Sequence, residues 1–179
     1  MPVDEPETIV IPPGDALLGD PVRTEHVNVF AIAARPVTNA EYARFREGHT
    51  PTDDRPVRGV TWADAVGYCR WLTTSTGHIW RLPDEREWEK AARTGVLEDM
   101  GELEWTNSWA AAGAQGSELG GRVLRGREDP AKRRYVLART RPGAQLTGED
   151  ERRTEERSDS APGDLSAVGF RVVRGMTGR

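Results

Sequence analysis

Three histidines and a single cysteine are the residues in this 179-residue chain that a soft or borderline metal would seek, and their spacing keeps them apart. No two of His26, His49 and His78 stand at the helical or hairpin interval that iron or zinc ligation needs, which predicts surface or strand positions for all three. Cys69 on its own excludes an intrachain disulfide and any centre built from two thiolates, zinc or copper(I) alike. It falls within an apolar helical pattern, so a buried structural thiol is expected. The chain has no G-x-S-x-G elbow, no glycine loop for phosphates and no H-E-x-x-H pair, which removes hydrolase, nucleotide and metalloprotease readings. Binding chemistry is what remains. The basic cluster Lys132, Arg133, Arg134, Arg139 and Arg141 could hold a carboxylate or phosphate through bidentate guanidinium contacts. The bland reading of the same run is a solvated face paired with acids such as Glu149 and Glu151. Six tryptophans offer rings for stacking. No cofactor and no metal are expected.

The background for those residues is an ordinary globular domain. At 179 residues the chain can bury a core without disulfides, and one domain spanning residues 1–179 is expected. Hydrophobic residues make up 36% and charged ones 30%, and no apolar run is long enough to cross a bilayer. The opening MPVDEPETIV carries acids and prolines where a secretory signal needs a basic flank and an apolar stretch, so a cytoplasmic location is expected. A net charge of -4, from 29 acids against 25 bases, makes nucleic acid a poor partner.

Helix starts are the clearest local signals. Thr38 with Glu41, Thr61 with Asp64, and Asp84 with Glu87 each set a capping side chain three residues before an acid that can answer it. These predict three short helices, the second running to about Thr73 and the third to about Arg93. The first carries Tyr42 and Phe45 inward. In the second, Trp62, Ala65, Val66, Cys69 and Leu72 share one face, and in the third Trp88, Ala91 and Ala92 do so. Thr8 to Ile11 reads as a strand closed by Pro12-Pro13-Gly14, and His26 to Ile32 as a second strand. After Gly95 the pattern loosens into turns around Glu104 to Trp109, then returns to strand character at Arg122 to Arg125. The segment 145–164 has Leu146 as its only large apolar residue and is expected as a mobile surface loop. Val168, Phe170 and Val172 alternate in a last strand.

The stretch Arg81-Leu82-Pro83-Asp84-Glu85-Arg86-Glu87-Trp88-Glu89-Lys90-Ala91-Ala92-Arg93 resembles the R-L-P-x-E-x-E-W-E-x-A-A-R signature of formylglycine-generating enzyme (sulfatase-modifying factor) domains. Further stretches are similar and keep the family's order: Pro36 to Phe45, Pro56 to Ala65 running into Tyr68-Cys69-Arg70-Trp71-Leu72, Glu104-Trp105-Thr106, Arg122 to Gly126, and Val168-Gly169-Phe170-Arg171. Their joint occurrence is far more specific than any one of them. The resemblance implies an α+β fold like a C-type lectin, with small twisted antiparallel sheets, about three short helices and much loop. It also places Trp62, Trp71, Trp80 and Trp88 in structural stretches.

Departures from the family pattern bear on chemistry. Members that oxidise cysteine to formylglycine bind copper(I) through two C-terminal thiolates, whereas this chain has no cysteine after Cys69. Where the family shows R-G-G-S-W, Gly126 leads into Arg127-Glu128-Asp129-Pro130. The family's long insertion after A-A-R is cut to a few residues, with Asp99-Met100-Gly101 as a remnant. The resemblance places Trp105, Asn107 and Trp109 in a loop near the ligand-facing surface. The resulting candidate ligand-binding set is Trp105, Asn107, Trp109, Arg125, Arg127, Tyr135 and Arg139. Catalytic residues are not expected. The leading expectation is a non-catalytic binding or assembly module that presents variable C-terminal loops, about Trp105 to Asp164, to a protein partner or small ligand. Alternatives are an enzyme or maturation factor with a rebuilt, oxygenase-like pocket, and a ligand-binding variable protein of a diversity-generating retroelement. The sequence leaves the oligomeric state open.

Overall fold

The computed structural model describes residues 3–18, 23–98, 103–109, 122–126, 134–139 and 168–176. The three helices among these residues all begin at the reciprocal caps that the sequence marks. Helix α1 (Asn39–Phe45) is capped by Thr38 and Glu41, α2 (Trp62–Thr76) by Thr61 and Asp64, and α3 (Glu85–Arg93) by Asp84 and Glu87, each side chain bonding to the other's backbone N–H. Helix α2 runs one turn past the expected end at Thr73. It stops where Gly77 takes a left-handed φ of 77°, a conformation that glycine reaches without strain.

Strands β1 (Thr8–Ile11), β4 (Phe30–Ala33), β5 (Trp80–Arg81) and β10 (Val173–Gly175) form an antiparallel sheet in the order β1-β4-β10-β5. A hairpin of β2 (Gly14–Leu18) and β3 (Arg23–Val27) stands beside it. A third sheet has the order β7-β8-β6-β9, from β6 (Leu103–Trp109), β7 (Arg122–Gly126), β8 (Arg134–Arg139) and β9 (Val168–Phe170). Its pairs are antiparallel except β6 with β9, which is parallel.

Several strand expectations need correction. The single strand expected over His26 to Ile32 breaks at Asn28 and Val29, so that β3 pairs with β2 and β4 joins the first sheet. The last strand likewise divides into β9 and β10, with Arg171 and Val172 between two different sheets. Glu104 to Trp109 is a strand and not a turn region, because its partners β8 and β9 come from distant sequence and leave little local trace. Residues 145–164, expected as a mobile loop, and Asp99 to Gly101 lie outside the described residues.

Two apolar cores result among the described residues. The larger gathers Ala33, Tyr42, Val57, Ala65, Tyr68, Cys69, Leu72, Trp80, Leu82, Trp105 and Phe170, with Phe45, Trp62, Val66 and Trp71 partly buried against it. The smaller, around Ile11, Val27, Phe30, Ile32, Ala91 and Val173, seats α3 on the first sheet. The expected inner faces hold, with Tyr68 as the large buried residue of α2 that the periodicity omits. Close approach is sharpest at Gly169, where a Cβ would stand 2.6 Å from the Val57 carbonyl oxygen. No helix among the described residues is long and apolar enough to cross a membrane.

Candidate functional site

The signature segment proves to be a structural device built largely from its own side chains. Arg81 donates from both Nη atoms to the Glu87 carboxylate at 2.6 Å, and Glu87 Oε2 also accepts the Asp84 backbone N–H at 2.9 Å. Asp84 returns a bond to the Glu87 N–H at 2.8 Å, completing the cap. Farther along, Glu89 pairs with Arg93 at 2.7 Å. Hydrogen bonding to the Glu87 carboxylate raises the Arg81 pKa above its ordinary value and keeps the guanidinium charged.

Trp88 extends this device into the third sheet. Its Nε1–H donates to Glu104 Oε2 at 2.7 Å, and the same oxygen accepts from Arg171 Nε at 2.7 Å. Arg171 Nη2 donates to Glu104 Oε1 at 2.6 Å and to the Glu98 carbonyl at 3.1 Å, and Nη1 donates to the Ala34 carbonyl at 3.0 Å. Arg171 and Glu104 are 2% and 3% exposed. A buried pair of opposite charge whose remaining donors all find carbonyls is a structural clamp, with no open coordination for a substrate. Sequence reasoning missed this cluster, although Glu104 and Arg171 both lie inside motifs it singled out.

The candidate ligand set separates on inspection. Trp105 is corrected from a loop to the core: it is 2% exposed, and its Nε1–H donates to the Val60 carbonyl at 2.9 Å, which leaves no ring face for stacking. Asn107 is exposed, and its backbone N–H donates to the Pro83 carbonyl at 2.8 Å. It lies where the β6–β8 register slips between Trp105, opposite Ala138, and Trp109, opposite Val136. Such irregularities bend a strand and re-aim its side chains. Arg125 stands opposite Tyr135 across β7 and β8, and Arg139 opposite Glu104 across β8 and β6. One sheet therefore carries Asn107, Trp109, Arg125, Tyr135 and Arg139, while Arg127 lies outside the described residues. The basic residues Lys132, Arg133 and Arg141 lie outside them as well.

The histidines stand apart. His26 Nδ1 is 3.2 Å from Asp15, His49 Nε2 is 3.0 Å from the Asn39 side-chain oxygen, and His78 Nδ1 is 2.6 Å from Glu5. Among the described residues no group of three or more His, Cys, Asp or Glu side chains could hold a metal ion.

The model of the sulfatase-modifying factor enzyme 1-like domain matches residues 1–145, most of the chain. The chain belongs to that family. It is 35% identical over 88 residues to the formylglycine-generating enzyme of Bos taurus, a match covering 46% of this chain and 22% of that enzyme. To the formylglycine-generating enzyme of Thermomonospora curvata it is 39% identical over 64 residues, covering 36% of the chain and 18% of the enzyme. The matched segments thus span about a fifth of the length of these curated relatives. Among solved structures it is similar in fold to PvdO from Pseudomonas aeruginosa, with a TM-score of 0.64 at 20% identity, covering 96% of this chain and 95% of that one. CarF gives 0.54 at 16% identity, covering 96% and 99%, and Treponema denticola variable protein 1 gives 0.51 at 16%, covering 93% and 94%.

The α+β scaffold is thus that of the family, and its copper chemistry can be tested on the residues present. Copper(I) requires soft sulfur ligands. The one cysteine, Cys69, is buried on the inner face of α2, where loss of hydration pushes its pKa up to about 12. A thiol buried in the larger core, with no second sulfhydryl in the chain, does not fit a two-thiolate copper centre.

Proposed function

We propose that this chain is a non-catalytic binding or assembly module on the formylglycine-generating enzyme scaffold, using the β7-β8-β6 sheet and its connecting loops to engage a protein partner or small ligand. The observation that carries this reading is the place of its thiol: Cys69 is the sole cysteine, and it is buried in the core, where loss of hydration raises its pKa. Three further features support it. The signature residues Arg81, Asp84, Glu87 and Trp88 bond to one another and to the Glu104–Arg171 clamp, so they hold the scaffold. The exposed candidate Asn107 sits at a register slip on the sheet that also carries Arg125, Tyr135 and Arg139. Short strands with fixed roots let loop chemistry vary freely. A cytoplasmic setting belongs to the same reading.

The test is metal analysis of the purified protein together with oxygen uptake in the presence of a cysteine-containing peptide. The expected result is no stoichiometric copper or iron and no consumption of dioxygen above a protein-free control. Bound redox metal with turnover would replace this reading by that of an enzyme with a rebuilt pocket.

A further inference from the structure

The strands β7 and β8 have the sequences RVLRG and RYVLAR, and every charged residue in them is an arginine: Arg122, Arg125, Arg134 and Arg139. The chain as a whole carries -4, so this hairpin is a local reversal of charge. The register sets Arg122 opposite Ala138 and Arg125 opposite Tyr135. In the sheet order β7 is the terminal strand, and among the described residues it bonds to β8 alone. Its other side thus has no strand partner among those residues. A terminal strand offers an alternating row of N–H and C=O groups to any extended chain that reaches it.

We infer that β7 is the docking edge of this module and that its partner is an extended acidic segment of another protein, which adds as a strand beside Arg122 to Gly126. Three physical arguments select that occupant. A second copy of β7 in the same place would bring arginines against arginines, and like charges across a ladder repel. Nucleic acid has no backbone amide to pair with the edge. An acidic strand satisfies both demands, since its backbone completes the ladder while its carboxylates are opposite in charge to Arg122 and Arg125. The complementary segment carries acids three residues apart, matching Arg122 and Arg125, with apolar or β-branched residues beside Val123 and Leu124.

This inference rests on the reading as a binding module, and its test is separable from that of the module. The intact protein is titrated with a fluorescently labelled peptide that repeats glutamate, valine and threonine, so that its acids stand three residues apart. Three controls accompany it: the counterpart with lysine for glutamate, the acidic peptide with proline at alternate positions, and a single-stranded oligonucleotide. The expected result is binding of the acidic peptide alone, weakened by added salt and lost with proline, which cannot donate to the edge. Joint Arg122→Glu and Arg125→Glu replacement weakens it by at least about tenfold. The milder Arg122→Gln with Arg125→Gln pair, checked by circular dichroism, shows an intermediate loss in a folded protein. Failure of the acidic peptide to bind would overturn the inference and make the arginines guards against edge pairing. Equal binding of the proline peptide, or tighter binding of the oligonucleotide, would overturn it too. Any of these results in a protein that consumes no dioxygen leaves the binding-module reading in place, whereas turnover refutes that reading irrespective of the peptides.

Discussion

Phe170 and Arg171 are consecutive residues that anchor two buried clusters of opposite chemistry. Phe170 enters an aromatic group, its ring centroid 5.4 Å from Tyr68 and 6.3 Å from Tyr42, with Tyr42 and Tyr68 stacked at 6.0 Å. Arg171 turns to the other side and closes on three backbone carbonyls and on Glu104, which also accepts from Trp88. Both clusters tie the last strands to the N-terminal part of the chain. The aromatic one depends on shape and area, which a similar side chain can supply. The ionic one depends on every partner being present, because an unpaired buried charge is destabilising far beyond the worth of the bond itself. The first should bend under substitution and the second should break.

The largest expected effect is therefore at Arg171. Replacing it by leucine leaves Glu104, at 3% exposure, without its counter-charge, and a loss of about 3–5 kcal/mol of stability is expected from the denaturation midpoint. Adding Glu104→Leu should recover part of that loss by removing the stranded carboxylate. Recovery stays incomplete, since the Trp88 indole N–H loses its acceptor and the Ala33, Ala34 and Glu98 carbonyls lose the Arg171 donors. A single variant as stable as the parent would show that the pair does not clamp the fold.

Next comes Trp88→Phe, which keeps an aromatic ring beside α3 but removes the N–H that Glu104 accepts at 2.7 Å. Arg171 still holds the carboxylate, so a smaller loss of about 1–3 kcal/mol is expected by the same measurement. A loss equal to that of Arg171→Leu would mean that ring volume and not the hydrogen bond decides the outcome.

The two clusters were not equally visible in sequence. Aromatic and apolar positions such as Tyr42, Ala65, Cys69 and Leu72 announce themselves through helical period, and the caps at Thr38, Thr61 and Asp84 fix where each helix begins. The ionic cluster has no period. Glu104 and Arg171 are 67 residues apart and meet only because β6 pairs in parallel with β9, a contact made by the finished fold. The same distance effect hid β6 as a strand, although Trp105, Asn107 and Trp109 already alternate. It also misplaced Trp105 on the ligand surface: family likeness located the motif correctly, but only the Val60 contact shows which way the ring is directed. The candidate residues Arg125, Tyr135 and Arg139 were legible as chemistry, while their common sheet was not.

Charge at the surface gives the next smaller effect and sharpens the contrast with the buried pair. Asp53 accepts from Arg55 Nε and from Asn39 Nδ2, each at 2.8 Å, and the Arg55 hydrogen bond leads in holding its pKa at about 2, below the ordinary 3.8. A carboxylate depressed in the folded state contributes stability that is present above its unfolded value and disappears as pH falls through the folded one. Unfolding by urea at stepped pH should therefore show a decline between about pH 4 and pH 2 that Asp53→Asn flattens. Parallel curves for the two proteins would remove Asp53 from the account of acid sensitivity.

The smallest effect belongs to the aromatic cluster. Tyr68 is 2% exposed, burial pushes its pKa up, and its hydroxyl makes no hydrogen bond to the described residues. The ring is what the cluster uses, in contacts with Tyr42, Phe45, Trp71 and Phe170. Tyr68→Phe should consequently leave stability unchanged or raise it by up to about 1 kcal/mol, since it deletes a polar group without deleting a bond. Tyr68→Ala in the same assay should lose about 3–5 kcal/mol by opening a cavity, which confirms that the site itself is sensitive. If the phenylalanine variant instead fell by more than about 1 kcal/mol, the hydroxyl would have a partner and the cluster would share the brittleness of the ionic one. The difference between neighbours Phe170 and Arg171 would then lie in degree and not in kind.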